Sequence, residues 1–204
     1  MPARSVGVLL AAGAGRRFDA ARPGAKLEAP FDTETVGVRS LTTLMSAVDA
    51  TIVAVRGEHT AIAMQAKQRG AHIVVPAHFE WGMGHSIAAA AALALAEFGD
   101  ADVLLMALAD MPWTNAQTLG KLIEQSSSHR ILRPRFEGVL GHPVAFGREF
   151  WPALVNCGGD EGARRVLGDH APSVMVIDVA DAGVLRDVDV PTDLPRPSAS
   201  RTQH

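Results

Sequence analysis

With 204 residues, 48% of them hydrophobic, the chain is long enough to bury a sizeable core and too apolar to be disordered. A net charge of −3 gives no support for nucleic acid as the main partner. The single cysteine, Cys157, excludes an intrachain disulfide and suits a reducing, cytoplasmic setting.

The run that starts at Val6 reads as a buried strand. It stops at Gly13 and Gly15, and Arg16, Arg17 and later Lys26 follow. Glycines let a backbone approach a ligand closely, and successive free N–H groups form a concavity that suits phosphate. Arg17 and Lys26 would place positive charge over it. The pattern is neither of two better-known phosphate loops. Phe18 stands where a dinucleotide fingerprint has its third glycine, and Lys26 is followed by Leu27 where a Walker loop has Ser or Thr. The alternative is a glycine turn after an edge strand, with solvated arginines. An Ala-x-Gly sequence here imitates a cleavage site, but cleavage would remove the best strand, so no signal peptide is expected.

Helical spacing follows over Ser40 to Val48, then a strand over Thr51 to Val55 and a helix over Glu58 to Arg69. Ala71 to Val75 reads as a strand and Ala77 to Met83 as a loop. Ser86 to Phe98 is an alanine-rich helix. Its stretch Ile87 to Leu95 is the nearest approach to a membrane span, yet it is too short and is followed by Glu97. Asp102 to Leu108 is an apolar strand, and Thr114 is the expected N-cap of a helix to Gln125. Further on, strands are expected over Arg130 to Arg135 and Val139 to Phe146, around the turn Gly141-His142-Pro143. Short helices are expected over Gly147 to Val155 and Asp160 to Leu167, with Asp160 as N-cap. A strand over Ser173 to Val179 and an acidic segment, Asp187 to Asp193, complete a single domain over residues 1–194. A polar tail from Pro195 to His204 is expected to be disordered.

Continuous apolar strands alternating with helices mark an α/β fold. The expected form is a three-layer, Rossmann-like, mostly parallel sheet with helices on both faces. Ligands of such sheets bind beyond the carboxyl ends of the strands. Asp110 lies just past one such end, placed to hold a divalent ion or merely to cap a turn. Asp187 and Asp189 alternate on one side of an extended segment and form a second acidic cluster, or a solvated turn. Gly82 and Ser86 open the alanine-rich helix, where free N–H groups favour an anion or polar ligand, the alternative being that Ser86 simply caps the helix. His142 and Asp160 carry the same ambiguity between ligand and local structure. The histidines lack thiol companions and H-E-x-x-H spacing, which argues against zinc. No second glycine completes a hydrolase elbow after His85-Ser86.

These pieces in this order resemble the nucleotidyltransferases of molybdenum cofactor biosynthesis, the MobA-like NTP transferases, and within them the cytidylyltransferase type. The resemblance rests on Leu10-Ala11-Ala12-Gly13-Ala14-Gly15-Arg16-Arg17 with Lys26, on Leu108 to Pro112, on Gly141 to Val144, on Gly159 to Arg164 and on Asp187 to Asp193. Asp19 to Ala25 lengthens the arginine-to-lysine spacing. The resemblance implies the nucleotide-diphospho-sugar transferase type of fold. It implies transfer of a nucleoside monophosphate, from CTP first, to a phosphorylated small-molecule acceptor such as molybdopterin, with pyrophosphate released. Leu10, Ala11, Ala12, Gly13 and Gly15 would cradle the nucleotide, with Gly82 and Ser86 on its base or ribose side. Arg17 and Lys26 would neutralise the pyrophosphate, Asp110 and Asp189 would hold Mg²⁺, and His142 and Asp160 would line the acceptor side. A molybdenum enzyme would receive the product; neither nucleic acid nor membrane is implied as a partner. Alternatives are a guanylyltransferase, a sugar- or alditol-phosphate transferase, a nucleotide-binding oxidoreductase, and a non-catalytic cofactor chaperone.

Overall fold

The computed structural model describes residues 4–195. Most of the expected tail, residues 196–204, lies outside the described residues. In chain order the strands are β1 (Ser5–Ala11), β2 (Pro30–Phe31), β3 (Glu34–Thr35), β4 (Ala50–Val55), β5 (His72–Val74), β6 (Val103–Leu108), β7 (Ile131–Phe136), β8 (Val139–Leu140), β9 (Val144–Gly147) and β10 (Val174–Asp178). The α-helices are α1 (Ala25–Glu28), α2 (Val36–Met45), α3 (Ala61–Gln68), α4 (Met83–Glu97), α5 (Ala116–Glu124), α6 (Trp151–Val155) and α7 (Arg164–Asp169).

The main sheet runs β10-β7-β9-β6-β1-β4-β5, with β8 paired to β7. β1 lies parallel to β4 and β6, β4 to β5, and β7 to β10; β9 is antiparallel to both its neighbours. Alternation along β1 explains its unbroken apolar run. Leu9 and Ala11 enter one core with α2, α3 and α5, while Val6, Val8 and Leu10 enter the other with α4, α6 and α7. Helices thus cover both faces, as the strand pattern predicts. No helix among the described residues is long and apolar enough to cross a membrane.

Register fixes the ligand edge. Ala11 of β1 is level with Val55 of β4, and Leu10 is level with Leu108 of β6. The chain therefore leaves all three strands at one rim, towards Gly13, Arg56 and Asp110.

Several boundaries differ from expectation. α2 starts four residues before Ser40, because Thr35 Oγ1 accepts from the Val38 N–H and caps it. The α1 turn and the β2–β3 hairpin precede it and were not foreseen; two-residue strands carry no periodic pattern. α4 begins at Met83, not Ser86. Thr114 does not cap α5. Its hydroxyl donates to the Gly183 carbonyl, and Asp181 takes the first free N–H instead, at Asn115. Asp160 is not an N-cap either, for α7 begins at Arg164 and Asp160 stays in the preceding loop.

Candidate functional site

The phosphate-type loop is bent by Gly15, at φ +62, a conformation that favours glycine. The Gly15 carbonyl accepts from Phe18 and Asp19 at 2.9 and 3.2 Å. The added stretch Asp19 to Ala25 then folds back on itself. Asp19 Oδ1 accepts from the N–H groups of Ala21 and Arg22 at 2.9 and 3.1 Å, and Gly24 donates to the Ala14 carbonyl at 3.4 Å. The longer spacing thereby closes as a turn and returns Lys26 to the loop, with Leu27 and Ala29 buried behind it.

Lys26 Nζ lies 2.6 Å from Asp110 Oδ2 and 3.9 Å from Asp189 Oδ1, and only 13% of its side chain is exposed. Arg17 donates to Asp189 Oδ2. The late acidic segment reaches this point because the Val188 N–H donates to the Asp110 carbonyl at 2.8 Å. Val188 is fully buried, so Asp187 and Asp189 on either side turn outward. Asp193 accepts from the N–H groups of Asp189 and Val190, both at 2.8 Å. Those bonds hold the Asp193 carboxyl below the ordinary carboxylate range and brace the segment. Burial pushes the Asp187 carboxyl up, and repulsion from Asp110 and Asp189 adds to it. The structure thus brings together Arg17, Lys26, Asp110 and Asp189 from segments remote in sequence.

Asp110 and Asp189 flank one cationic position, now taken by the Lys26 ammonium. Two carboxylates and no third ligand suit Mg²⁺, which is held by one or two carboxylates and substrate phosphates. Among the described residues no group of three or more His, Cys, Asp or Glu side chains is placed to hold a metal.

Two adjoining cavities open at the rim. The outer, about 730 Å³, is lined by Leu10, Ala12, Gly13, Gly82, Ser86, Asp110 and Asp160. The inner, about 270 Å³, includes His142 and Asp160 over a floor of Val144 and Phe146. Leu10, Met83, Leu108 and Asp160 belong to both. Asp160 arrives there because glycines meet without side chains. A Cβ on Gly84 would lie 2.4 Å from Gly158, and one on Gly82 would lie 2.4 Å from Gly159 and 2.6 Å from Asp160 Oδ1. Ala11 and Gly15 line neither cavity; Ala11 is core and Gly15 is the bend.

Three arginines went unassigned in sequence. Arg16, not its neighbour Arg17, lines the outer cavity. Arg56 lines it too and donates to the Gly13 carbonyl. Its place directly after β4, at the ligand edge, is the sequence feature that reveals it. Burial lowers its guanidinium below the ordinary value, and Glu28 partly offsets this. Arg133 lines the inner cavity from β7.

Residues 7–174 match the model of the MobA-like NTP transferase domain. The purine catabolism protein PucB of Bacillus subtilis (strain 168) is 31% identical over 199 residues, covering 92% of this chain and 93% of that protein. The nicotine blue oxidoreductase of Paenarthrobacter nicotinovorans is 30% identical over 192 residues, with 90% and 91% covered. Among solved structures, Rv0371c from Mycobacterium tuberculosis H37Rv aligns with a TM-score of 0.77 at 27% identity, over 93% of this chain and 95% of that one. A complex of Rv0371c with manganese aligns at 0.69 with 23% identity, over 96% and 94%.

Proposed function

The chain belongs to the MobA-like NTP transferase family, and on that premise we propose that it transfers the nucleoside monophosphate of CTP to molybdopterin or its molybdenum form, releasing pyrophosphate. It is a nucleotidyltransferase of that family, acting on a nucleoside triphosphate and a small-molecule acceptor. The observation that carries the reading is the convergence of Lys26, Asp110 and Asp189 beside the Gly13–Gly15 bend.

Such transfer rests on positioning and charge neutralisation rather than on a side-chain nucleophile. The backbone from Ala12 to Ala14, which lines the outer cavity, cradles the triphosphate, and Gly82 and Ser86 face its base or ribose. Arg17 and Lys26 exchange their carboxylate partners for the phosphates of the departing pyrophosphate. With the triphosphate bound, Asp110 and Asp189, released from Lys26 and Arg17, would hold Mg²⁺, which would supply charge neutralisation at the reacting phosphates. The manganese complex of Rv0371c is that protein's own, and it supports divalent-ion use here by likeness. Asp160, shared by the two cavities, and His142 in the inner one orient the acceptor, whose phosphate oxygen attacks the α-phosphorus. A cytoplasmic setting and hand-over of the product to a molybdenum enzyme belong to the same proposal.

Pyrophosphate release from CTP, GTP and other triphosphates, each with molybdopterin, tests this. CTP is expected to lead. Asp110→Ala should abolish turnover and keep the fold, and an active, Mg²⁺-dependent Asp110→Ala enzyme would refute the role. Tight pterin binding without turnover would instead identify a cofactor chaperone. The nicotine blue oxidoreductase keeps a second reading in play, since that relative is named for redox chemistry. Phe18 at the third fingerprint position weighs against a dinucleotide here. Tight binding and oxidation of NAD(P)H, with no pyrophosphate from any triphosphate, would select it.

A further inference from the structure

The inner cavity is built around a cation for which the sheet has no structural use. Along β7, Ile131 enters the core beneath α4, and Arg133 follows it on the same side of the strand. Burial pushes the Arg133 guanidinium below its ordinary value, and no neighbouring carboxylate offsets this. Its Nε is buried and has no hydrogen-bond partner. His142 Nδ1 is in the same condition. His142 is also held rigidly. Its N–H donates to the Val184 carbonyl at 2.9 Å, the Gly141 N–H donates to Pro134 at 2.8 Å, and a Cβ on Gly141 would lie 2.3 Å from the Val184 carbonyl oxygen. Buried polar atoms are nearly always satisfied, and these two are exceptions. Both residues line the inner cavity, a space they share.

We propose that Arg133 and His142 form the seat for the acceptor's oxyanion, and that the inner cavity takes a phosphate ester whose apolar body lies against Met83, Leu108 and Leu167. Arg133 supplies charge and a fixed fork of donors; His142 supplies Nδ1. As to role in catalysis, this rests on the nucleotidyl-transfer reading, because the acceptor must sit across Leu10, Leu108 and Asp160 from the triphosphate. Arg133 thus decides which acceptors are accepted, and the outer cavity decides the nucleotide.

Phenyl phosphate is the probe, titrated calorimetrically at neutral pH into the full chain, with phenol as the uncharged control. Binding of phenyl phosphate and not of phenol is expected. Arg133→Met should weaken it about 10- to 100-fold, the loss expected for a charged hydrogen bond. Arg133→Met should also leave CTP affinity unchanged. Arg17→Ala, in the outer group, should leave phenyl phosphate binding unchanged. Should Arg133→Met fail to fold, Arg133→Lys keeps the charge, loses Nε and is expected to bind several-fold more weakly. No binding by the wild type, equal binding by the Arg133 variants, or loss on Arg17→Ala would overturn the seat. Failure of every triphosphate to yield pyrophosphate, with phenyl phosphate binding intact, would remove the transfer reading and leave the seat.

Discussion

Replacing Lys26 by methionine separates a structural ion pair from a metal-site placeholder. Gross attraction at an effective dielectric of 20 is about 6 kcal/mol for the 2.6 Å contact to Asp110 and about 4 kcal/mol for the 3.9 Å contact to Asp189. Desolvation of the lysine and solvent at the carboxylates, which are 23% and 33% exposed, leave a net of about 1–3 kcal/mol. For a chain of this size that is a fall in Tm of roughly 2–12 °C in chelator. Mg²⁺ or Mn²⁺ should then raise Tm more in Lys26→Met than in wild type. In wild type the ion must first displace the ammonium from Asp110, and in the variant it meets carboxylates that have lost that ammonium. CTP affinity in the presence of the ion should move the other way, because the lysine that would meet the phosphates is gone. Differential scanning fluorimetry in chelator and across an ion titration reads both terms. An ion-induced shift no larger than the wild-type shift would refute the idea that ammonium and metal share one position.

Arg17→Ala should weaken CTP binding several-fold, a small effect because Arg17 is largely exposed; unchanged affinity would make Arg17 a solvated side chain. Asp181→Ala should destabilise by about 3–5 kcal/mol, because the nearly buried carboxylate accepts from Asn115 N, Thr118 Oγ1 and Gly183 N at 2.9, 2.7 and 2.9 Å. Chemical denaturation reads that loss, and a change below about 1 kcal/mol, within reach of a single ordinary hydrogen bond, would contradict it. Burial and then Arg133 hold His142 below its ordinary value, against an opposite pull from Asp110. The native state therefore binds fewer protons than the unfolded chain once pH falls below about 6.5, and stability is lost in that direction. Between pH 7 and pH 5 the wild type should lose stability relative to His142→Gln, and a difference that stays level would count against a buried, neutral imidazole.

What was legible came from periodicity and from edge position. Continuous apolar strands announced a sheet covered on both faces, and β1 shows why, dividing Leu9 from Val8 and Leu10 between two cores. Asp110 stood out because it follows a buried strand, and the Asp-Val-Asp alternation gave the outward faces of Asp187 and Asp189, since the valine between them is core. Lys26 was less legible. Its position depends on hydrogen bonds that the Asp19 carboxylate accepts and the Gly24 N–H donates, which close a turn, and spacing does not encode them. Asp160 misled because an Asp before Glu161 and an apolar helix imitates a cap, whereas glycine-on-glycine contact decides where it sits. Arg133 was hidden within the expected strand Arg130 to Arg135, where nothing in the spacing separates it from Arg135, which pairs outside with Asp178.

Asp110 connects fold to chemistry through two different atoms. Its carbonyl takes the Val188 N–H and so pins the end of the domain to the end of β6, while its carboxylate takes Lys26. Removing the carboxylate leaves the backbone bond, so Asp110→Ala disturbs charge and not topology. Val188 acts the other way. It is fully buried, and loss of its side chain would slacken the segment that carries Asp187 and Asp189 without removing either acid. A site assembled from the first strand, a central strand end and the last extended segment therefore forms only once the whole sheet is in register. The acids and the lysine are brought within reach of each other by folding itself, and a triphosphate with its ion would have only to exchange the ion pairs of Lys26 and Arg17 for its own charges.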